Sequence, residues 1–185
     1  CSSDLHPTTE MITGLDLVEE MVGIAAGEPL RFQQSDIKLK GHAIEARIYA
    51  EDSSRGFLPS AGRIWAYIPP LEKQGEIRLD SGVRESDVVT PYYDPIIAKL
   101  IAHQPERDLA RSALLNALDC FYVRGIETNI YFLASVVNSS FFKKGEFSTT
   151  TLDELFGDGF TPHVPQNPLI AVGTAAVMYC IREHL

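Results

Sequence analysis

From Gly41 to Asp52 the chain alternates. Ile44, Ala46, Ile48 and Ala50 fall on one face of an extended segment, and Glu45, Arg47, Tyr49 and Glu51 fall on the other. The period predicts a half-buried strand within 37–52, with a break near Gly41. Upstream, His6-Pro7 opens an extended or turn segment, because the residue before proline is pushed away from helical angles. A helix then reads from Thr13 or Asp16 to Ala26. Leu17, Met21 and Ile24 recur with Val18, Val22 and Ala25 as its apolar stripe, and Gly27 and Pro29 end it.

Downstream of a Gly- and Pro-bearing loop over 53–59, short apolar runs at 62–68, 77–79 and 83–89 are separated by turn residues, Pro69-Pro70 among them. This density of short strands predicts an antiparallel sheet or small barrel. Tyr92-Tyr93-Asp94-Pro95 is a turn feeding the apolar run 96–102, which periodicity leaves open as a buried strand or the start of a helix. Pro105-Glu106-Arg107-Asp108 starts a helix whose stripe runs from Leu109 through Leu114 and Leu118 to Phe121. Asn129 caps a further helix reaching Asn138, and 149–155 reads as one more short helix. Residues 156–168, rich in Gly and Pro, have a linker's composition. The segment 169–185 is apolar nearly all round and calls for burial against a partner or another domain.

Composition narrows the classes. With 45% hydrophobic residues the chain can fill a core, and a net charge of −9 argues against a nucleic-acid-binding surface. No uninterrupted apolar run suits a bilayer, so no membrane partner is expected. Cys1, Cys120 and Cys180 form neither a zinc spacing nor a disulfide framework, which favours a reducing compartment. The opening at Cys1 and the apolar last segment lead to the expectation of a piece of a longer polypeptide.

The strand face carries the most chemistry. Arg47 stands between two acids and beside a tyrosine, and a guanidinium offers a fixed charge and a planar fork of donors to a carbonyl or carboxylate oxygen. The same spacing also describes an exposed strand face with cross-strand ion pairs, and spacing alone leaves both readings open. Other chemistries fall away. His6 and His42 lack partners at metal-ligand spacing, no Gly-rich phosphate loop occurs, and no serine nucleophile elbow is present.

The order of motifs resembles a known family. His6-Pro7-Thr8-Thr9-Glu10-Met11-Ile12-Thr13-Gly14 is similar to its HPVTE-MITG run, and Ile24-Ala25-Ala26-Gly27-Glu28-Pro29-Leu30 to its IAAG-x-PL. Gly41-His42-Ala43-Ile44-Glu45-Ala46-Arg47-Ile48-Tyr49-Ala50-Glu51-Asp52 resembles GHA-x-E-[CA]-RI-x-AED. Phe57-Leu58-Pro59-Ser60, Asp80-Ser81-Gly82-Val83, Tyr92-Tyr93-Asp94-Pro95 and Gly125-Ile126-Glu127-Thr128-Asn129 follow in the family's order. The chain resembles the C-terminal part of a biotin carboxylase. The nearest subfamily resemblance is to the biotin-containing alpha subunit of a propionyl-CoA carboxylase, through Phe142-Lys143-Lys144-Gly145-Glu146-Phe147-Ser148-Thr149 and Asp158-Gly159-Phe160.

The resemblance implies an α+β fold: the end of an ATP-grasp module over 1–36, the biotin carboxylase C-terminal domain, an antiparallel sheet with packed helices, over 37–160, and a linker and start of a subunit-binding region over 161–185. It implies part of a biotin-dependent acyl-CoA carboxylase. ATP would activate bicarbonate as carboxyphosphate, and biotin N1 would capture the released CO2, with Mg2+ or Mn2+ as the metal. Arg47 matches the arginine that contacts the biotin ureido oxygen, where a positive charge stabilises the enolate formed as N1 loses its proton. Glu45 and Tyr49 would hold Arg47 in place. Asp94 lies in a loop near the biotin site, and Thr149 matches a position lining the adenine pocket. The implied partners are a second biotin carboxylase, a carboxyltransferase beta subunit and a biotin carrier domain. The implied location is the mitochondrial matrix in a eukaryote and the cytoplasm in a bacterium.

One departure stands beside these matches. The family reads N-x-R-x-Q-V-E before His-Pro, whereas counting back from His6 puts Cys1 at the arginine, Ser3 at the glutamine and Leu5 at the general-base glutamate. Leu5 cannot act as a base, and Cys1 brings no fixed cation. The expectation is a parent ligase and a fragment inactive by itself. The alternatives are a degenerate or spliced form that dimerises with or regulates a full-length subunit, or a sibling carboxylase for methylcrotonyl-CoA, acetyl-CoA or pyruvate.

Overall fold

The computed structural model describes residues 6–157, 159–160, 169–170, 172–173 and 176–177. The departures at Cys1, Ser3 and Leu5, the linker over 161–168 and most of the terminal apolar segment lie outside the described residues.

Two helices come first, α1 (Pro7–Thr13) and α2 (Leu17–Ala25). The first corrects the reading of an extended or turn segment from Pro7 onward. His6 does stay non-helical at φ −106°, ψ 73°, but Pro7 occupies the first helical turn, where its fixed φ suits a helix and its missing N–H costs nothing. Asp16 caps α2 by accepting from the Glu19 N–H at 2.9 Å. The predicted apolar stripe of α2 is present, but none of its residues is buried within this chain.

The centre is a three-stranded antiparallel sheet in the order β1 (His42–Tyr49), β8 (Ile96–Gln104), β6 (Ile77–Ser81). Two-stranded pairs surround it: β2 (Glu51–Asp52) with β3 (Leu58–Pro59), β4 (Gly62–Arg63) with β7 (Val88–Val89), and β5 (Ala66–Ile68) with β9 (Tyr122–Arg124). β1 begins only at His42, because Gly41 takes a φ of +66° and lies so close to the Gln104 carbonyl that a side chain would not fit. The predicted strand 62–68 is two strands, since the chain changes partner. Gly62 pairs with Val89, whereas Ala66 pairs with Arg124. Of the run 83–89 only Val88–Val89 is strand: Arg84 and Asp87 close a turn through two hydrogen bonds, and Ser86 sits at φ 73°.

The ambiguous run 96–102 is strand. Apart from Lys99 it is apolar without alternation, because it is central and covered on both faces. On one side α3 (Arg107–Asp119) and α4 (Ile130–Asn138) complete the main core, in which Ala46, Ile48 and Leu100 meet Leu114 and Leu118. On the other side α1 packs against β1 and β8, with Glu10 reaching Arg78 of β6. Leu100, Ile101, Leu114 and Leu118 are essentially inaccessible, each worth about 1.5–3 kcal/mol of burial. α5 (Ser140–Lys144) and α6 (Thr151–Phe156) follow; Phe141 and Phe142 of α5 pack against the cluster of Phe132, Val136 and Phe160, and Phe132 makes edge-on contacts with Phe57, Phe156 and Phe160.

Candidate functional site

The alternation read from the sequence sorts the two faces of β1 as expected. Ala46 and Ile48 are buried, and so is Ala50 just beyond the strand, while Arg47 keeps 49% of its side chain exposed. Glu45 is on the same face with only 14% of its side chain exposed, and its carboxylate accepts from Arg47 Nε at 2.7 Å. The Glu45 hydrogen bond first, and Tyr49 second, hold the Arg47 guanidinium more firmly protonated than usual, against the opposing effect of burial. The charge is therefore fixed and its plane is set by a partner, while the guanidinium retains donors beyond Nε.

The register extends this arrangement across the sheet. Arg47 is opposite Lys99 of β8, which is opposite Asp80 of β6, so the three lie in one row. Asp80 and Lys99, with Ser81, Gly82 and 96–98, line a cleft of about 180 Å³. Asp94 sits at the turn before β8, and its carboxylate accepts from the Ile96 N–H at 3.0 Å. Ile96 pairs with Tyr49, and the Pro95 carbonyl accepts from the Ala50 N–H at 2.8 Å. The turn carrying Asp94 is thereby tied to the end of the strand that carries Arg47. Burial first, and then the charge of Asp94, push the Glu51 carboxyl up from the usual carboxylate range. Thr149 belongs to a different part of the fold, the exposed loop between α5 and α6, where Ser148 and Thr151 exchange hydrogen bonds around it.

The sequence places Asn129 correctly at the cap position of a helix reaching Asn138, but its side chain is engaged elsewhere and makes no capping bond there. Oδ1 accepts from the Tyr49 N–H at 2.9 Å, and Nδ2 donates to the Arg47 carbonyl at 3.1 Å. Its own N–H donates to the Tyr49 carbonyl at 3.2 Å. No local pattern signals a bond between positions 82 residues apart.

The family model for the biotin carboxylase C-terminal domain matches residues 45–154. The chain belongs to this family. It is 43% identical over 175 residues to the mitochondrial propionyl-CoA carboxylase alpha chain of Homo sapiens, covering 92% of this chain and 24% of that protein. Among solved structures it is similar to the biotin carboxylase domain dimer of the Hydrogenobacter thermophilus 2-oxoglutarate carboxylase, in complex with MgADP, ADP and bicarbonate. That match has a TM-score of 0.80 at 39% identity and covers 86% of this chain and 35% of that one. The biotin carboxylase subunit of a pyruvate carboxylase matches with a TM-score of 0.78 at 41% identity, over 82% of this chain and 33% of that one. The chain thus spans about a quarter of the length of the curated propionyl-CoA carboxylase relatives, and the fold is the α+β arrangement of biotin carboxylase domains.

Among the described residues no helix is long and apolar enough to cross a membrane, and no cluster of His, Cys, Asp and Glu has the makings of a metal site. The half-exposed Arg47 guanidinium keeps donors that could meet a carbonyl, carboxylate or phosphate oxygen.

Proposed function

We propose that this chain supplies the biotin-facing strand of a biotin carboxylase within a biotin-dependent acyl-CoA carboxylase, the propionyl-CoA enzyme being the reading that the human relative favours. The observation that carries it is the Glu45–Arg47 clamp: a half-exposed guanidinium, fixed in charge and plane, on the strand that matches the family motif. Arg47 binds the ureido oxygen of biotin and stabilises the negative charge that grows on that oxygen as the neighbouring N1 gives up its proton. Glu45 and Tyr49 hold the guanidinium in place, and Asp94 borders the biotin site from the adjoining turn. Biotin, when bound, supplies the nitrogen that takes up CO2.

Thr149 lines the adenine side of the nucleotide site by packing. ATP, Mg2+ or Mn2+ and bicarbonate are held by the remainder of the longer protein. Residues 1–36 form the end of an ATP-grasp module, 37–160 the C-terminal domain, and 161–185 the linker and the start of a subunit-binding region. The partners are a second biotin carboxylase, a biotin carrier domain and a carboxyltransferase beta subunit, which selects the acyl-CoA. The location is the mitochondrial matrix in a eukaryote and the cytoplasm in a bacterium.

Arg47→Ala, made in the complete protein that carries this region, tests the reading. The ratio of biotin carboxylation to bicarbonate-dependent ATP cleavage should fall by about 10²–10³, the usual cost of removing an oxyanion donor. Equal loss of both activities would remove the biotin role from Arg47.

A further inference from the structure

β1 is the edge strand of its sheet, paired on one side only by β8. Along its other side, the backbone on either side of Ile48 is met by a side-chain amide. Asn129 Oδ1 accepts from Tyr49 N, and Nδ2 donates to the Arg47 carbonyl. A primary amide presents the same acceptor and donor as a peptide unit, so one residue does there what a neighbouring strand would do. The backbone N–H of Asn129 adds a third bond, to the Tyr49 carbonyl. Asn129 is 5% exposed, and α4, which it begins, is anchored in the core through Ile130 and Val137. The clamp is therefore built on a rigid element. It grips the backbone of Arg47 itself and of Tyr49, two residues on.

We infer that Asn129 is a positioning residue for Arg47, fixing the backbone from which the guanidinium is aimed; this rests on the proposed role of Arg47 toward biotin. The neighbouring Gly125 suits the same purpose. At φ +102°, packed against the Arg63 carbonyl and Trp65 amide, it allows the tight passage from β9 that delivers Asn129 to β1.

The test uses the complete biotin carboxylase with free biotin as the probe. Asn129→Ala removes both side-chain bonds. Asn129→Asp fills the same space and keeps an acceptor for Tyr49 N–H, but offers no donor to the Arg47 carbonyl once ionised. Both variants should raise KM for biotin and lower the carboxylation-to-ATP-cleavage ratio about tenfold or more, because ångström-scale misplacement of a binding group carries a penalty of that order. If the alanine variant does not fold, the aspartate variant decides. Combining Asn129→Asp with Arg47→Ala should lower the ratio no further than Arg47→Ala alone, since one residue acts through the other. Fully additive losses, or an unchanged ratio in both Asn129 variants, would overturn the inference. An unchanged ratio in Arg47→Ala would instead sink the functional reading beneath it, a result that the single Arg47 variant separates from a failure of Asn129.

Discussion

Glu51 shows how the neighbourhood of the site affects single groups. Its carboxyl is pushed up by burial and then by the charge of Asp94. An acid with a raised folded pKa favours the native state fully below the ordinary carboxylate range and loses that contribution as pH rises through the raised value. Glu51→Gln should therefore raise the thermal midpoint at neutral pH and leave it unchanged at pH values below the ordinary carboxylate pKa. Unfolding curves at both pH values check this, and an equal shift at the two would mean that ionisation is not the cause. The residues of the site were legible in the sequence to different degrees. The place of Arg47 on the open face of β1 was legible because strand alternation gives it. The half-buried carboxyl of Glu51 was not, since it depends on a turn more than forty residues away coming to rest beside it. Asn129 was read as a cap because an Asn before an apolar helical stripe ordinarily is one; here the edge of β1 takes its side chain first.

Among the elements, α1 is attached in a way its sequence did not announce. Glu10 divides its carboxylate: Oε1 accepts from the Leu17 N–H at 2.8 Å, and Oε2 from Arg78 at 2.6 Å. Arg78 in turn makes a two-pronged bond to Asp80, and Asp80 first, then Glu10, hold its guanidinium well above its ordinary pKa despite partial burial. One carboxylate thus joins the start of α2, α1 and the far strand of the sheet. Glu10 has only 9% of its side chain exposed and Arg78 30%, so the pair is poorly screened. Glu10→Gln preserves the bond to Leu17 but not the charge. It should cost about 1.5–3 kcal/mol, the range for a hydrogen bond to a charged group, read from the shift in urea midpoint. A loss near zero would class the pair with exposed surface bridges. Periodicity located α2, α3 and α4 well because each carries a stripe. It could not split 62–68, where what changes is the partner strand and not the pattern of the chain itself.

At the scale of the molecule, the chain covers about a quarter of the length of the relatives it matches. The sequence contains no phosphate loop, and the described residues include no metal-holding cluster. The apolar residues of α2, Met21 at 63% and Val22 at 64% exposure, find no burial here either. A strand that stabilises charge on one oxygen lowers a barrier only after CO2 has been generated beside it, and on the proposed reading the groups that generate CO2 from bicarbonate belong to the remainder of a longer protein. The chain by itself should therefore show no bicarbonate-dependent ATP hydrolysis above background, with or without free biotin. Mixed with a full-length subunit it should leave that subunit's rate unchanged, if it is simply one part of the same catalytic body. Hydrolysis by the chain alone would mean that a nucleotide site exists outside the residues described. A dose-dependent change in the mixture would favour a regulatory form that pairs with the full-length subunit. Such a form would bring the Arg47 strand to the complex while contributing no ATP chemistry of its own.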